Sequence, residues 1–272
     1  MVGQKNTIMP EQKGFTLIEL LVVVGIVVFI AILVFCARVF MLAQNRAKIQ
    51  ANEILCQTNL KQWGLIFSMY TEDNNGYFFS SESDSNGWSR MEPLRPYCKD
   101  HKLWLCPMSK EPSQKTVQTP FGDLKVVNNV GDYGLNGWVC NPREGKTEVW
   151  PLGTAEYYWR TPNVKGAEKI PLFLDAKWIA AWPRSTDPPP EFENYREETI
   201  ISIWSQMGHF CINRHDGSVN GLFMDWSVRK IGLKELWTLK WHRQFDTNGP
   251  WTKAGGVMPG DWPGWMRSFK DY

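Results

Sequence analysis

Residues 20–37 form an uninterrupted apolar run of 18 residues without a single charge, and Glu19 stands at its leading edge. A run of this length is a membrane-spanning helix or a helix buried on every side. An ionisable group in bilayer hydrocarbon costs roughly 2.5–3.5 kcal/mol on insertion scales, so Glu19 needs a partner. A cut after Gly14 would give Phe15 a new α-amino group four residues ahead of Glu19. That amine, on the same or a neighbouring chain, could neutralise the carboxylate. An ordinary secretory signal fits poorly, because its apolar region spans ~7–15 residues and ends at a small-residue cleavage site. Here the run is longer and the glycine precedes it.

Charge sets the expected orientation. Residues 1–14 carry Lys5 and Lys13 against Glu11, which together with the terminal amine makes them positive and holds them in the cytoplasm. Residues 15–43 as a helix would reach about 43 Å, against a hydrocarbon core of about 30 Å. The chain beyond should therefore be extracytoplasmic, with a single pass through the membrane. The net charge of +2 and the lack of a long basic run give no footprint for nucleic acid.

No proline occurs between Pro10 and Pro93, so one helix can run from Phe15 to about Thr71. Its second half is amphipathic: Cys56, Leu60, Trp63, Phe67 and Tyr70 recur at spacings of four, three, four and three. The stripe needs a lid, and a C-terminal sheet is the expected one. Asp73-Asn74-Asn75-Gly76 should stop the helix, since Asn and Gly tolerate the left-handed conformation. Beyond it, residues 169–175 read as a buried strand, residues 220–225 and 227–231 as a hairpin, and residues 234–244 as a short helix. The predicted class is α+β: a long N-terminal helix packed on a small antiparallel sheet with long irregular loops. The expected organisation is a leader (1–14), a transmembrane half-helix (15–43), an amphipathic half-helix (44–75) and a domain (76–272) with a Trp-rich tail.

Lys13-Gly14-Phe15-Thr16-Leu17-Ile18-Glu19 resembles the processing site of type IV prepilins and type II secretion pseudopilins. The resemblance implies Gly14 as the residue before the cut, Phe15 as the N-methylated mature terminus and Glu19 as the assembly carboxylate. It also implies a prepilin peptidase, other pseudopilins, an inner-membrane assembly platform and further copies of the chain as partners. Cys56-Gln57-Thr58-Asn59-Leu60-Lys61-Gln62, the Asp73–Gly76 turn, Leu105-Cys106-Pro107 and the pair His215 and Asp225 are similar to a bacterial pseudopilin-like group. In that group a His-x9-Asp-Gly motif closes the pattern; here Trp226 replaces the Gly. Two departures stand out: that tryptophan, and Cys36 where many pilins have a mid-anchor proline.

Cys56, Cys98, Cys106, Cys140 and Cys211 lie in the expected oxidising compartment. Their number is odd, and no spacing matches a zinc site. Cys56 and Cys106 occur together in the group the chain resembles, which implies a disulfide between them. His209, Cys211, His215, Asp216 and Asp225 crowd in sequence, and a metal or general-base site could be drawn from them. The stretch 213–217 reads more simply as a polar turn, with His215 and Asp225 bonding within a hairpin or presenting its edge. Calcium, which major pseudopilins bind through a C-terminal loop of Asp side chains and backbone oxygens, is the one cofactor the resemblance leaves open, although no matching loop is visible; no other cofactor is expected and no residue is assigned as a metal ligand. The 15 tryptophans serve either core packing or aromatic platforms for glycans. The expectation is a non-enzymatic filament subunit; a glycan-binding minor pilin or adhesin and a tethered enzyme are the rivals.

Overall fold

The computed structural model describes residues 16–80, 87–109, 114–119, 122–127, 132–142, 148–149, 153–193 and 205–272. Gly14 and Phe15 lie outside them. Contacts divide the chain into two compact units, residues 1–50 and 51–272.

The first unit is the N-terminal part of helix α1 (Leu17–Asp73). Its apolar side chains point outward on every side: Leu17 is 75% exposed, Phe29 62% and Phe35 68%. By length and composition α1 can cross a membrane, and a helix apolar all round needs lipid or other helices around it.

In the second unit, the stripe on α1 behaves as its spacing predicts. Cys56, Leu60, Trp63 and Phe67 are buried, while Tyr70 is half-buried at the edge. The helix ends where expected. Asn75 and Gly76 take positive φ, Asn74 Nδ2 donates to the Tyr70 carbonyl at 2.8 Å, and Gly76 N–H to that of Thr71 at 2.8 Å. Carbonyls of the last turn are thus satisfied.

The stripe rests on a five-stranded sheet ordered β7-β3-β6-β8-β9. Its strands are β3 (Tyr133–Asn136), β6 (Pro171–Asp175), β7 (Ala180–Ala181), β8 (Ser218–Phe223) and β9 (Val228–Gly232). Among the described residues two small hairpins complete the strands: β1 (Gln114–Thr119) with β2 (Gly122–Val127), and β4 (Glu148–Val149) with β5 (Gly153–Thr154). The sheet is mixed rather than purely antiparallel, because β7 runs parallel to β3. After β6 the chain turns round the start of β3 in four residues, 176–179, and comes back along its far edge. Gly134 permits this: a Cβ there would lie 2.7 Å from Ala176 Cβ and collide with the Trp178 carbonyl oxygen. Gly64 plays the same part on the helix, where an added Cβ would meet Leu222 Cδ1 at 3.0 Å.

The predicted hairpin is β8–β9, and its turn forms despite Trp226. That residue takes φ +65, and Asp225 Oδ1 accepts from the Ser227 N–H at 2.9 Å and its hydroxyl at 2.6 Å. The region 234–244 holds only a 3₁₀ turn, Leu233–Thr238. The tail is irregular but anchored, with Trp262 and Met266 buried.

Two buried groups set opposite pH dependences. Asp187 Oδ2 accepts from the N–H groups of Arg184 (3.0 Å) and Met207 (2.9 Å), and burial pushes its carboxyl up to about 6. His242 stacks on Tyr157 at 4.8 Å, and burial, with the charges of Lys240 and Arg184, pushes it down to about 4. Between pH ~4 and ~6 the folded Asp187 holds a proton that the unfolded chain releases, so its contribution falls as pH rises. Over pH ~4 to ~6.5 the unfolded His242 holds the extra proton, so its contribution is lost as pH falls. The two offset each other. Asp187→Asn should leave His242 uncompensated and tilt stability against pH by on the order of 2 kcal/mol over this window, favouring the higher pH. Urea titrations of the detergent-solubilised chain from pH 4 to 7 measure the tilt; parallel parent and variant curves would refute it.

Candidate functional site

Two constellations bear on function, one in each unit. At the start of α1, Glu19 Oε2 accepts from the N–H and the hydroxyl of Thr16, both at 2.9 Å. The Glu19 N–H returns to Thr16 Oγ1 at 3.4 Å. This is a capping box, in which residues three apart satisfy amides that the first helical turn leaves open. Both bonds fall on Oε2. Oε1 takes none among the described residues, so the carboxylate can cap its own helix and still receive a second donor.

The second constellation lies where α1 meets the sheet. Cys56 comes from the α1 stripe and Cys106 from the turn after the 3₁₀ stretch His101–Trp104. Asp175 closes β6, and His215 precedes β8. All four are buried, and one donor atom from each lies within 4.8 Å of the others. Cys56 Sγ is 3.6 Å from Asp175 Oδ1, Cys106 Sγ 3.6 Å from His215 Nε2, and His215 Nε2 3.0 Å from Asp175 Oδ2. Around them stand Tyr133, whose hydroxyl donates to Cys56 Sγ at 3.2 Å, and Arg214, whose Nη1 reaches Asp175 Oδ1 at 3.2 Å. The Asn220 N–H donates to Asp175 Oδ2 at 2.7 Å. Arg214 also donates to the carbonyls of Asp132 and Ala176. Asp132 Oδ2 accepts the Cys106 N–H at 2.8 Å, which closes the ring of contacts.

Electrostatics follow from this packing. Burial alone would push the Asp175 carboxyl up, but the His215 hydrogen bond and the Arg214 charge outweigh it and hold it below the usual carboxylate range. Burial likewise opposes a charge on His215, yet the bonds to Asp175 and Cys106 push it up to about 9. The contact with Cys56, and burial, push the Cys106 thiol up.

Cys106, His215 and Asp175 invite comparison with a nucleophilic triad, and the geometry refuses it. In a triad the acid orients the imidazole through one ring nitrogen while the nucleophile meets the other. Here both contact Nε2, and the buried Nδ1 has no partner. A protonated, buried thiol is also a poor nucleophile. A cavity of about 420 Å³, lined by Tyr77, Glu156, Trp159, Arg160 and Arg243 among others, includes none of the four.

The structure separates residues that the sequence crowds together. Asp225 is exposed in the β8–β9 turn and bonds Ser227, so His215 does not pair with it; the interior carboxylate His215 reaches is Asp175. His209, Cys211 and Asp216 stay outside the cluster. The 213–217 turn forms as expected, with Asn213 Oδ1 accepting the Gly217 N–H at 2.6 Å, but it sends Arg214 and His215 inward. Cys56 and Cys106 meet here as two thiols. Asp175, Arg214 and Asp132 carry no predicted role. Among the described tryptophans, residues 63, 104, 138, 159, 182, 237, 241 and 262 are buried, so they pack the interior; Trp178 is exposed, at 44%.

The family model for the prokaryotic N-terminal methylation motif matches residues 9–35. No curated protein and no solved structure matches the chain.

Proposed function

We propose, for a chain whose N-terminal motif makes it a prepilin-type protein of the pilin or pseudopilin kind, the role of a pseudopilin subunit in a type IV pilus-like or type II secretion filament. The observation that carries this reading is the methylation motif set directly on an apolar helix exposed on every side. A helix of that kind is membrane-anchored before assembly. In a filament it exchanges lipid for neighbouring helices, and the charged leader must be gone before it can pack. In this reading, prepilin peptidase cuts after Gly14 and methylates Phe15. The freed amine of one subunit then meets Glu19 of the next, a charge-assisted bond of the stronger type. The unit at residues 51–272 faces out of the cytoplasm and chooses neighbours. Its work is assembly rather than turnover.

Processing is the direct test. Mass spectrometry of membrane-extracted protein should find a mature terminus at N-methylated Phe15. Gly14→Asp should leave the leader in place, because a charged side chain occupies the scissile position. An intact Met1 terminus in cells with active prepilin peptidase would overturn the proposal.

A further inference from the structure

We propose that Cys56, Cys106, Asp175 and His215 form a structural site for a tetrahedral divalent cation, zinc before others, that fastens α1 to the sheet. The inference is independent of the assembly role. Its first support is geometry. Zinc held at about 2.3 Å by sulfur and about 2.0–2.1 Å by nitrogen or oxygen sets tetrahedral edges of about 3.6 Å for sulfur to nitrogen or oxygen, and about 3.3 Å for nitrogen to oxygen. The cluster has edges of 3.6 Å from Cys106 Sγ to His215 Nε2, 3.9 Å from Cys56 Sγ to Asp175 Oδ2, and 3.0 Å from Nε2 to Oδ2. The four donor atoms all lie within 4.8 Å of one another, so one ion at the centre is within reach of each as the side chains draw in.

The second support is the donor set and its charge. Two sulfurs, an imidazole and a carboxylate suit zinc, whereas calcium and magnesium prefer oxygen alone. Two thiolates, one carboxylate and a divalent ion sum to one negative charge. The Arg214 guanidinium at Asp175 Oδ1 supplies the balancing positive charge. Binding releases the two thiol protons and any proton on Nε2 to solvent.

The third support is the surrounding shell. Tyr133 donates to Cys56 Sγ, and Arg214 fixes the carboxylate through the oxygen that faces away from His215. Such outer contacts orient ligands and tune a metal. The cation would take the place of the protons now shared between Cys56 and Asp175, Cys106 and His215, and His215 and Asp175, and of the 3.1 Å approach of Asn220 Nδ2 to Nε2. The four ligands come from four separate segments, so the ion would bind the folded unit and not the unfolded chain, and its affinity would add to stability.

The full chain decides the matter, extracted in detergent under reductant and without chelator. Elemental analysis should find one zinc per chain. Cobalt(II) exchanged into the parent protein should show the visible bands of a tetrahedral centre and a thiolate-to-metal charge-transfer band, a readout that depends on no variant. Cys56→Ser should abolish both, and Cys36→Ser should leave both unchanged. Tyr133→Phe, which removes only the hydroxyl on Cys56, should weaken affinity about ten- to a hundredfold. Three results would each overturn the site: a reduced parent chain that takes up no zinc or cobalt, a metal retained by Cys56→Ser, or a Cys56–Cys106 disulfide in protein alkylated directly from cells.

Discussion

Glu19→Ala is expected to leave membrane insertion intact and to cut filament yield roughly ten- to a hundredfold. Insertion should survive because the change removes a charge from the edge of an apolar helix. Yield should fall because a bond to a charged group is worth about 1.5–3 kcal/mol, and each added subunit loses one. The capping box supplies a competing account, since Glu19 also holds the first turn of α1 through Thr16. Thr16→Val separates the two: it removes the hydroxyl from the cap and keeps the carboxylate. Crosslinking of membranes measures insertion, and shearing measures polymer. Pairing between subunits predicts a large defect for Glu19→Ala and a small one for Thr16→Val. Equal defects would assign the residue to the cap, and normal yield from Glu19→Ala would remove the pairing mechanism.

Trp63→Ala should cost the second unit about 3–5 kcal/mol. The indole is fully buried and sits 4.5 Å from the Trp104 ring and 5.0 Å from Phe173, centroid to centroid. Its Nε1 donates to the Leu103 carbonyl at 2.9 Å. Truncation therefore empties the middle of the interface between helix and sheet and strands a buried acceptor. Folded domains are stable by only about 5–15 kcal/mol, so the loss is a large share of the total. Leu65→Ala, two positions along and 66% exposed, is the control and should shift stability by less than about 0.5 kcal/mol in water. Denaturant unfolding followed by tryptophan fluorescence reads both. Similar shifts for the two variants would mean that the stripe does not carry the fold.

Local patterns were readable where local physics decides. The spacing of Cys56, Leu60, Trp63 and Phe67 announces the buried face, and Asn75 and Gly76 announce the stop. The apolar strand at residues 171–175 and the β8–β9 hairpin follow from the same kind of signal. The interior cluster is a different matter. Cys56 and Asp175 are 119 positions apart, and Cys106 and His215 are 109 apart. Only sheet order and register bring such residues together, and neither is written in a local period. The sequence sets Asp225 near His215, and Asp225 bonds within its turn as read, but the carboxylate His215 meets is Asp175, which no local spacing points to. The better signal was Asp175 itself, a charge closing a continuous apolar strand, which demands an interior partner by the same logic that singled out Glu19. The β7 reversal was hidden for a comparable reason: it depends on Gly134 admitting another stretch of backbone at close range. The Thr16-Leu17-Ile18-Glu19 cap, in contrast, is a short motif and could have been read directly.

The stripe on α1 limits how this chain can be divided or recombined. A gene fusion that kept the sheet and its loops but began after Gly76 would discard one wall of its own interior, since Cys56, Leu60, Trp63 and Phe67 pack among the residues of that interior. What would be inherited is an open apolar trough with half of its cysteine pair missing. The portable module therefore starts inside the helix, near Ala51. Lineages that exchange the sheet-bearing part of such proteins would have to carry about the last two fifths of α1 along with it.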